Sequence, residues 1–325
     1  MVMGEILKDS FGRIHNYLRI SITERCNLRC TYCMPEEGIP LTPEDRLPSV
    51  DELMEIVSVF KEMGVDKIRL TGGEPMARKE LPEILDRLCE MGFRDLNITT
   101  NGVFLDRFID KFKEVGLTSI NVSLDTLDPE KFATVTRRDR FDKVMMNIKK
   151  GMDEGLRIKI NTVLLKDFNE DEIKPMLEWS KTTPIHVRFI EFMPFNGNNW
   201  NTKKLVTYQD VLDEARKYFT IEKLKDGKNS TSKSFRVEGG KGTFAVISSM
   251  TEPFCETCNR LRLTADGKLK NCLFSNQEAD LLTALRKGHN LKELIRLSVR
   301  SKKEAHAGMD NLPDMENRSM IAIGG

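Results

Sequence analysis

Six of the seven cysteines in this 325-residue chain fall into two tight groups: Cys26, Cys30 and Cys33 in TERCNLRCTYCMPEEG, and Cys255, Cys258 and Cys272 in FCETCNRLRLTADGKLKNCLF. An odd cysteine count and no export signal argue against disulfides, and thiols this close in sequence suit a soft metal. Neither group has an obvious fourth Cys or His beside it. Three thiolates can hold three irons of a four-iron cluster and leave the fourth open to a ligand that binds through an amine and a carboxylate. Zinc is the rival at each group, and the second, in which the Asp266–Gly267 turn brings Cys272 back, also has the look of a zinc ribbon. Cys89, in LDRLCEMGF, stands apart and reads as a buried apolar side chain. His15, His186, His289 and His306 show no paired metal spacing and read as structural or surface residues.

A second chemistry lies in the basic residues. Lys and Arg number 51 against 50 for Asp and Glu, a formal charge of +1, so nothing pulls the whole chain toward nucleic acid or an anionic membrane. Any anion site must be local. No Walker loop or other phosphate-cradling glycine motif is present.

The elements that must position these groups are legible from periodicity. Six β-branched runs (YLRISIT, DKIRLTG, DLNITTN, TSINVSL, RIKINTV and IHVRFIEF) alternate with amphipathic segments such as VDELMEIVSVFKEMG and FDKVMMNIKKGMDEG, most of which stop at glycine. Repeated βα units with right-handed crossovers predict a parallel sheet. Within the strands polar residues take alternate positions: Arg19, Ser21 and Thr23; Lys67, Arg69 and Thr71; Asn97, Thr99 and Asn101; Asn121, Ser123 and Asp125; Lys159 and Asn161; Arg188. The apolar face must pack under the helices, so the polar face points into the concave side. An incomplete, TIM-like (β/α)6 barrel holding a polar ligand fits this pattern, with an ordinary solvent-exposed sheet face as the alternative.

The character changes after Phe195, which puts a boundary between a barrel over residues 1–195 and a C-terminal domain over 196–325. The latter reads as a loop (NGNNWNTKK), a helix (VTYQDVLDEARKYF), a Gly-turn hairpin (SFRVEGGKGTFAVISSM), the second cysteine group, and helices around Glu278 to Lys287 and Leu291 to Ser298. The tail from Ser301 shows no core-forming period. A charged start and the lack of any apolar run of membrane-spanning length predict a soluble cytoplasmic protein.

Cys26, Cys30 and Cys33 with Tyr32 among them, followed one βα unit later by TGGEP (Thr71 to Pro75), resemble the radical S-adenosylmethionine superfamily. The resemblance implies a [4Fe-4S] cluster on those three thiols and a bound S-adenosylmethionine that is cleaved reductively to a 5′-deoxyadenosyl radical. It implies contacts to that cofactor from Tyr32, Gly73, Glu74, Ser123 and Met193, with Arg188 a candidate for its polar end, and leaves any acid or base unassigned. Peptide-modifying members of the superfamily also carry C-terminal clusters, but with more cysteines than remain here.

Over essentially the whole chain the sequence further resembles the GTP 3′,8-cyclases of molybdenum-cofactor biosynthesis. The likeness runs through FGRIHNYLRISITERCNLRCTYCMPEEG, RLTGGEP, TTNG, NVSLD, RFIEFM, the second cysteine loop with Asn259–Arg260–Leu261–Arg262, and Ile323–Gly324–Gly325. It implies a second [4Fe-4S] cluster on Cys255, Cys258 and Cys272 whose open iron meets guanine, with Arg19, Arg69, Lys159, Arg260 and Arg262 on the triphosphate and Thr99 a further contact. It implies that the tail enters the active site. The partners it implies are GTP, an external low-potential electron donor, a second copy in a homodimer, and the cyclic pyranopterin monophosphate synthase that takes the product; nucleic acid and membrane are not among them.

Overall fold

A computed structural model describes residues 6–35, 37–117, 119–306 and 318–324. The six predicted strands are β1 (Tyr17–Ser21), β2 (Lys67–Thr71), β3 (Asp95–Thr100), β4 (Ser119–Ser123), β5 (Arg157–Leu164) and β6 (His186–Glu191), paired in parallel in sequence order. The helices on their outer side are α1 (Val50–Glu62), α2 (Leu81–Glu90), α3 (Ile109–Glu114), α4 (Pro129–Thr136), α5 (Phe141–Asp153) and α6 (Ile173–Thr182). Local chemistry starts several of them: Ser49 and Glu52 form a capping box on α1, and Asp128 caps α4 ahead of Pro129. The alternation read from sequence has its physical result here. Leu18, Ile20, Ile68, Leu70, Ile98, Ile120, Val122, Ile158, Ile160, Val187 and Phe189 are buried in one core with helix residues such as Phe60, Leu85, Phe112 and Ile148.

The C-terminal part is α7 (Tyr208–Tyr218), β7 (Ile221–Lys223), β8 (Lys233–Val237), β9 (Thr243–Ile247), β10 (Arg260–Leu263), β11 (Lys268–Lys270), β12 (Ala279–Asp280), α8 (Leu281–Arg286), α9 (Leu291–Arg300) and α10 (Met320–Ile323). It does not form a separate sheet. The order is β12-β11-β10-β1-β2-β3-β4-β5-β6-β9-β8-β7. β9 lies parallel to β6 and β10 parallel to β1, so the six-stranded partial barrel gains a parallel strand at each edge. The sheet is continuous across residues 195 and 196. Phe244 of β9 sits edge-on to Phe189 of β6 and stacks on Phe235 of β8, so the added strands share the barrel's core.

The structure departs from the sequence reading at three points. Cys89 is exposed, because α2 buries Leu81, Ile84, Leu85 and Leu88, and Cys89 falls one residue off that stripe. α4 and β7 were not anticipated. The tail does have an ordered apolar piece, since Ile321, Ala322 and Ile323 of α10 are buried. Gly325, with residues 1–5 and 307–317, lies outside the described residues. No helix among the described residues is long and apolar enough to cross a membrane.

Because β9 belongs to the barrel's own core, Phe244→Ala should lower the stability of the whole molecule by about 3–5 kcal/mol. Urea unfolding followed by fluorescence and circular dichroism should show one transition moved to lower denaturant; a separate early transition confined to the C-terminal part would contradict a shared core.

Candidate active site

The concave face of the sheet encloses a chamber of about 810 Å3. All six grouped cysteines line it, together with eight basic side chains: Arg19, Lys67, Arg69, Lys159, Arg188, Lys228, Arg260 and Arg262. No Asp or Glu among the described residues does so. Of the residues singled out from sequence, Tyr32, Gly73, Thr99, Ser123 and Met193 also reach the wall, and Glu74 does not.

The first thiol loop follows β1 and is held from two sides. Across from it the Gly72–Gly73 segment after β2 runs against its backbone, Gly73 N donating to Thr23 O at 2.7 Å and Glu74 N to Arg25 O at 2.8 Å. A Cβ on Gly72 would stand 2.5 Å from Thr23 O, and one on Gly73 2.4 Å from Arg25 O, so both positions exclude any side chain. The glycines of TGGEP thus serve a chain-to-chain approach. On the other side, Arg29 N and Thr31 N donate to the carbonyls of Thr136 and Val135 at the end of α4. Cys33 N and Met34 N both turn back to Cys30 O. The fully buried carboxylate of Glu74 accepts from Met76 N, Thr100 Oγ1 and Asn101 N and so pins the end of β3 beside the loop. Tyr32 donates its hydroxyl to Asp125 Oδ2 at 2.6 Å.

Burial pushes the Cys26 thiol up to about 11, with the negative charge of Glu74 adding to it, and burial drives Cys30 and Cys33 upward as well. Thiolates there are stable only when a metal takes the place of the protons. The second loop differs. Burial again opposes ionisation of Cys258, but Arg260 and Lys302 outweigh it and bring the thiol down to about 6. Lys302 Nζ donates to Cys258 Sγ at 3.4 Å, and Arg260 Nη2 approaches the same sulfur at 3.6 Å.

β10 places the remaining arginines. Its register sets Arg260 beside Tyr17 and Arg262 beside Arg19, while Arg19 faces Arg69 on the other side. Burial lowers the pKa of Arg19 to about 10, of Arg188 to about 9 and of Lys159 to about 8, and neighbouring cations add to the shift in each case. Arg188 Nε and Nη2, Asn121 Oδ1 and Asn161 Oδ1 are buried without hydrogen-bond partners. Such atoms call for a polar ligand. The tail enters on the β10, β1 and β2 side: Arg262 Nη1 donates to Gly324 O at 2.8 Å, and a Cβ on Gly324 would lie 2.3 Å from Thr71 Oγ1. At the end of β6, Glu191 accepts from the backbone of Tyr208, Met250 and Thr251 and fixes the approach to Met193.

The sequence pattern puts Lys67, Asn121 and Asn161 on the concave face, where they line the wall, but does not single out Tyr17 and His186, which line it too. The alternation that marked Arg19 and Arg188 covers these two as well, so that signal was present. Lys302 had none, since it is brought in by a loop after α9.

Three thiols on a wall where no described residue brings a carboxylate fit an iron–sulfur cluster with one open iron. All seven cysteines are free thiols, and among the described residues no three His, Cys, Asp or Glu side chains gather as ligands of a single ion.

The profile described as Radical SAM superfamily matches residues 20–180, and that described as Molybdenum Cofactor Synthesis C matches residues 185–308. The structure of Streptococcus suis SuiB bound to S-adenosylmethionine shares the fold at a TM-score of 0.59 and 16% identity, over 87% of this chain and 68% of that one. Fold and profile together define a protein of the radical S-adenosylmethionine class. The chain is 49% identical to the mitochondrial GTP 3′,8-cyclase of Arabidopsis thaliana over 99% of its length and 84% of that protein. It is 41% identical to the GTP 3′,8-cyclase of Peptoclostridium acidaminophilum over 98% of both. It therefore belongs to the GTP 3′,8-cyclase family. Molybdenum cofactor biosynthesis protein 1 of Mus musculus is 49% identical over 98% of this chain, which spans 51% of that longer relative.

A chamber lined by many cations, with Lys159 lowered to about 8, should bind polyanions most tightly when that amine is charged. Inorganic triphosphate affinity, measured by calorimetry, should fall several-fold between pH 7 and pH 9, and Lys159→Met should weaken binding at pH 7 and flatten the profile. An equal fall in the Met variant would assign the titration to another group.

Proposed function

We propose that this chain cyclises GTP to 3′,8-cyclo-7,8-dihydro-GTP, the step that opens molybdenum-cofactor biosynthesis. The observation that supports it most directly is the wall of the chamber, where two cysteine triads and eight basic side chains converge and carboxylates are missing among the described residues. Two [4Fe-4S] clusters and S-adenosylmethionine would supply the electron and the carbon-centred radical needed to remove hydrogen from the ribose of GTP.

The rest is the work of the chain's own residues. Cys26, Cys30 and Cys33 would hold the first cluster, and Cys255, Cys258 and Cys272 the second. Tyr32, Gly73, Ser123 and Met193 stand where they can orient S-adenosylmethionine, and the unpaired guanidinium nitrogens of Arg188 suit its carboxylate. Glu74, in the same Gly–Gly–Glu–Pro segment, would join these contacts through its backbone while its carboxylate braces β3. Arg19, Arg69, Lys159, Arg260 and Arg262 would take the triphosphate; Thr99 already accepts from Arg69 Nη1 and helps to aim it. Guanidinium forks match phosphate oxygens in pairs, and burial limits screening. An external low-potential donor would supply electrons, and the cyclic pyranopterin monophosphate synthase would take the product. A reducing, cytoplasmic setting suits six unprotected thiolate ligands. A peptide substrate is the second reading, and it lacks a reason for so many cations facing no acid among the described residues.

Anaerobically reconstituted protein should carry about eight irons per chain and turn GTP, S-adenosylmethionine and a reductant into the cyclised nucleotide, identified by mass spectrometry. Any one of the six ligand cysteines changed to Ser should abolish product. Arg262→Ala should weaken GTP binding by roughly 10- to 100-fold, the loss of one charge-assisted contact. Zinc in place of iron, or full turnover by Cys258→Ser, would falsify the scheme.

A further inference from the structure

The second triad is held by residues that come from opposite ends of the chain. Arg13 lies in an N-terminal hairpin closed by a bridge between Lys8 and Ile14, and its buried side chain forms an ion pair with Asp9. That carboxylate also accepts from the backbone of Phe11 and Arg13 and meets His15 Nε2 at 3.0 Å, which fixes the guanidinium. The fork then spans two loops. Nη1 donates to Cys255 O at 2.8 Å and to Glu304 O at 2.6 Å, and Nη2 donates to Lys303 O at 2.7 Å. One side chain therefore ties the first cysteine of the second triad to the segment that follows α9.

The residue that this clamp delivers is Lys302. It is only 4% exposed, and its ammonium donates to Cys258 Sγ at 3.4 Å and to Arg260 O at 3.1 Å. A buried ammonium is costly unless an anion faces it. Here the facing group is a thiol that becomes a thiolate when a metal centre is loaded. Hydrogen bonds to ligand sulfurs and the local net charge set the potential of an iron–sulfur centre, and a cation donating to sulfur stabilises the more negative, reduced state.

We propose that Lys302, held in place by Arg13, is the positioning and charge-balancing partner of Cys258 and raises the reduction potential of the cluster on the second triad. The inference rests on the reading of that triad as a four-iron site.

The test uses the full chain with Cys26, Cys30 and Cys33 changed to Ala, so that only the second cluster forms. Iron content comes first: about four irons per chain is expected, and zinc or no iron in this parent overturns the cluster reading itself, and the proposal with it. With iron present, redox titrations followed by electron paramagnetic resonance compare the parent with Lys302→Met, Lys302→Arg and Arg13→Gln. The Met variant should shift the midpoint to more negative potential, the Arg variant should restore most of the shift, and Arg13→Gln should move it in the Met direction by less. An unchanged midpoint in the Met variant, or an Arg variant that shifts as far as Met, overturns the proposal. If the Met variant does not fold, pulsed resonance on the reduced parent containing lysine labelled with 15N at Nζ decides the matter. A 15N coupling to the cluster supports the contact, and its absence overturns it.

Discussion

Everything in this molecule answers to a repulsion. Arg19, Arg69, Lys159, Arg188, Arg260 and Arg262 face one chamber, and no described carboxylate shares it with them. Left alone in a partly dry space such groups drive one another apart, and burial lowers the proton affinity of Arg19, Arg188, Arg262 and Lys159. They stay in place because each sits on a strand whose opposite face is locked into the apolar core. The register of eight parallel strands leaves a side chain no way to leave the concave face without turning its neighbours out of the core. An anion of high charge relieves the strain that the sheet sustains.

The sequence carried this frame plainly. Period-two alternation in six runs told both where the strands lie and which face holds the cations, because an inward polar position at Arg69 forces an apolar one at Leu70. What it did not carry was anything that depends on distant strands meeting. Composition changes after Phe195, yet β9 and β10 complete the same sheet, since pairing partners such as Leu18 and Leu261 leave no local trace of each other. Asp128 and Pro129 form a recognisable start for α4, but its eight residues carry no long apolar period, and at Cys89 the residue type points inward while its position on α2 faces it outward. Lys302 and Arg13 became visible only as neighbours of thiols more than forty and two hundred residues away in the chain.

Close backbone contact matters as much as charge. Gly72 and Gly73 let the end of β2 lie directly against the Thr23 to Arg25 backbone, and Gly324 fits beside Thr71 and Ser21 where no larger residue could. These contacts crowd the chamber's rim around the first thiol loop. The two triads are therefore supported differently: the first by main-chain ladders and the buried carboxylate of Glu74, the second by long basic side chains reaching in from other segments.

The placement of β10 next to β1 has a consequence for biogenesis. Tyr17 pairs with Arg260, so the earliest strand waits for one of the latest before its free edge is covered. During synthesis β1 to β6 can zip together in the order they leave the ribosome, while that open edge stays available to wrong partners until most of the polypeptide has emerged. The first thiol loop has its strand and helix neighbours early in synthesis, whereas the second flanks β10, which is among the last strands to emerge.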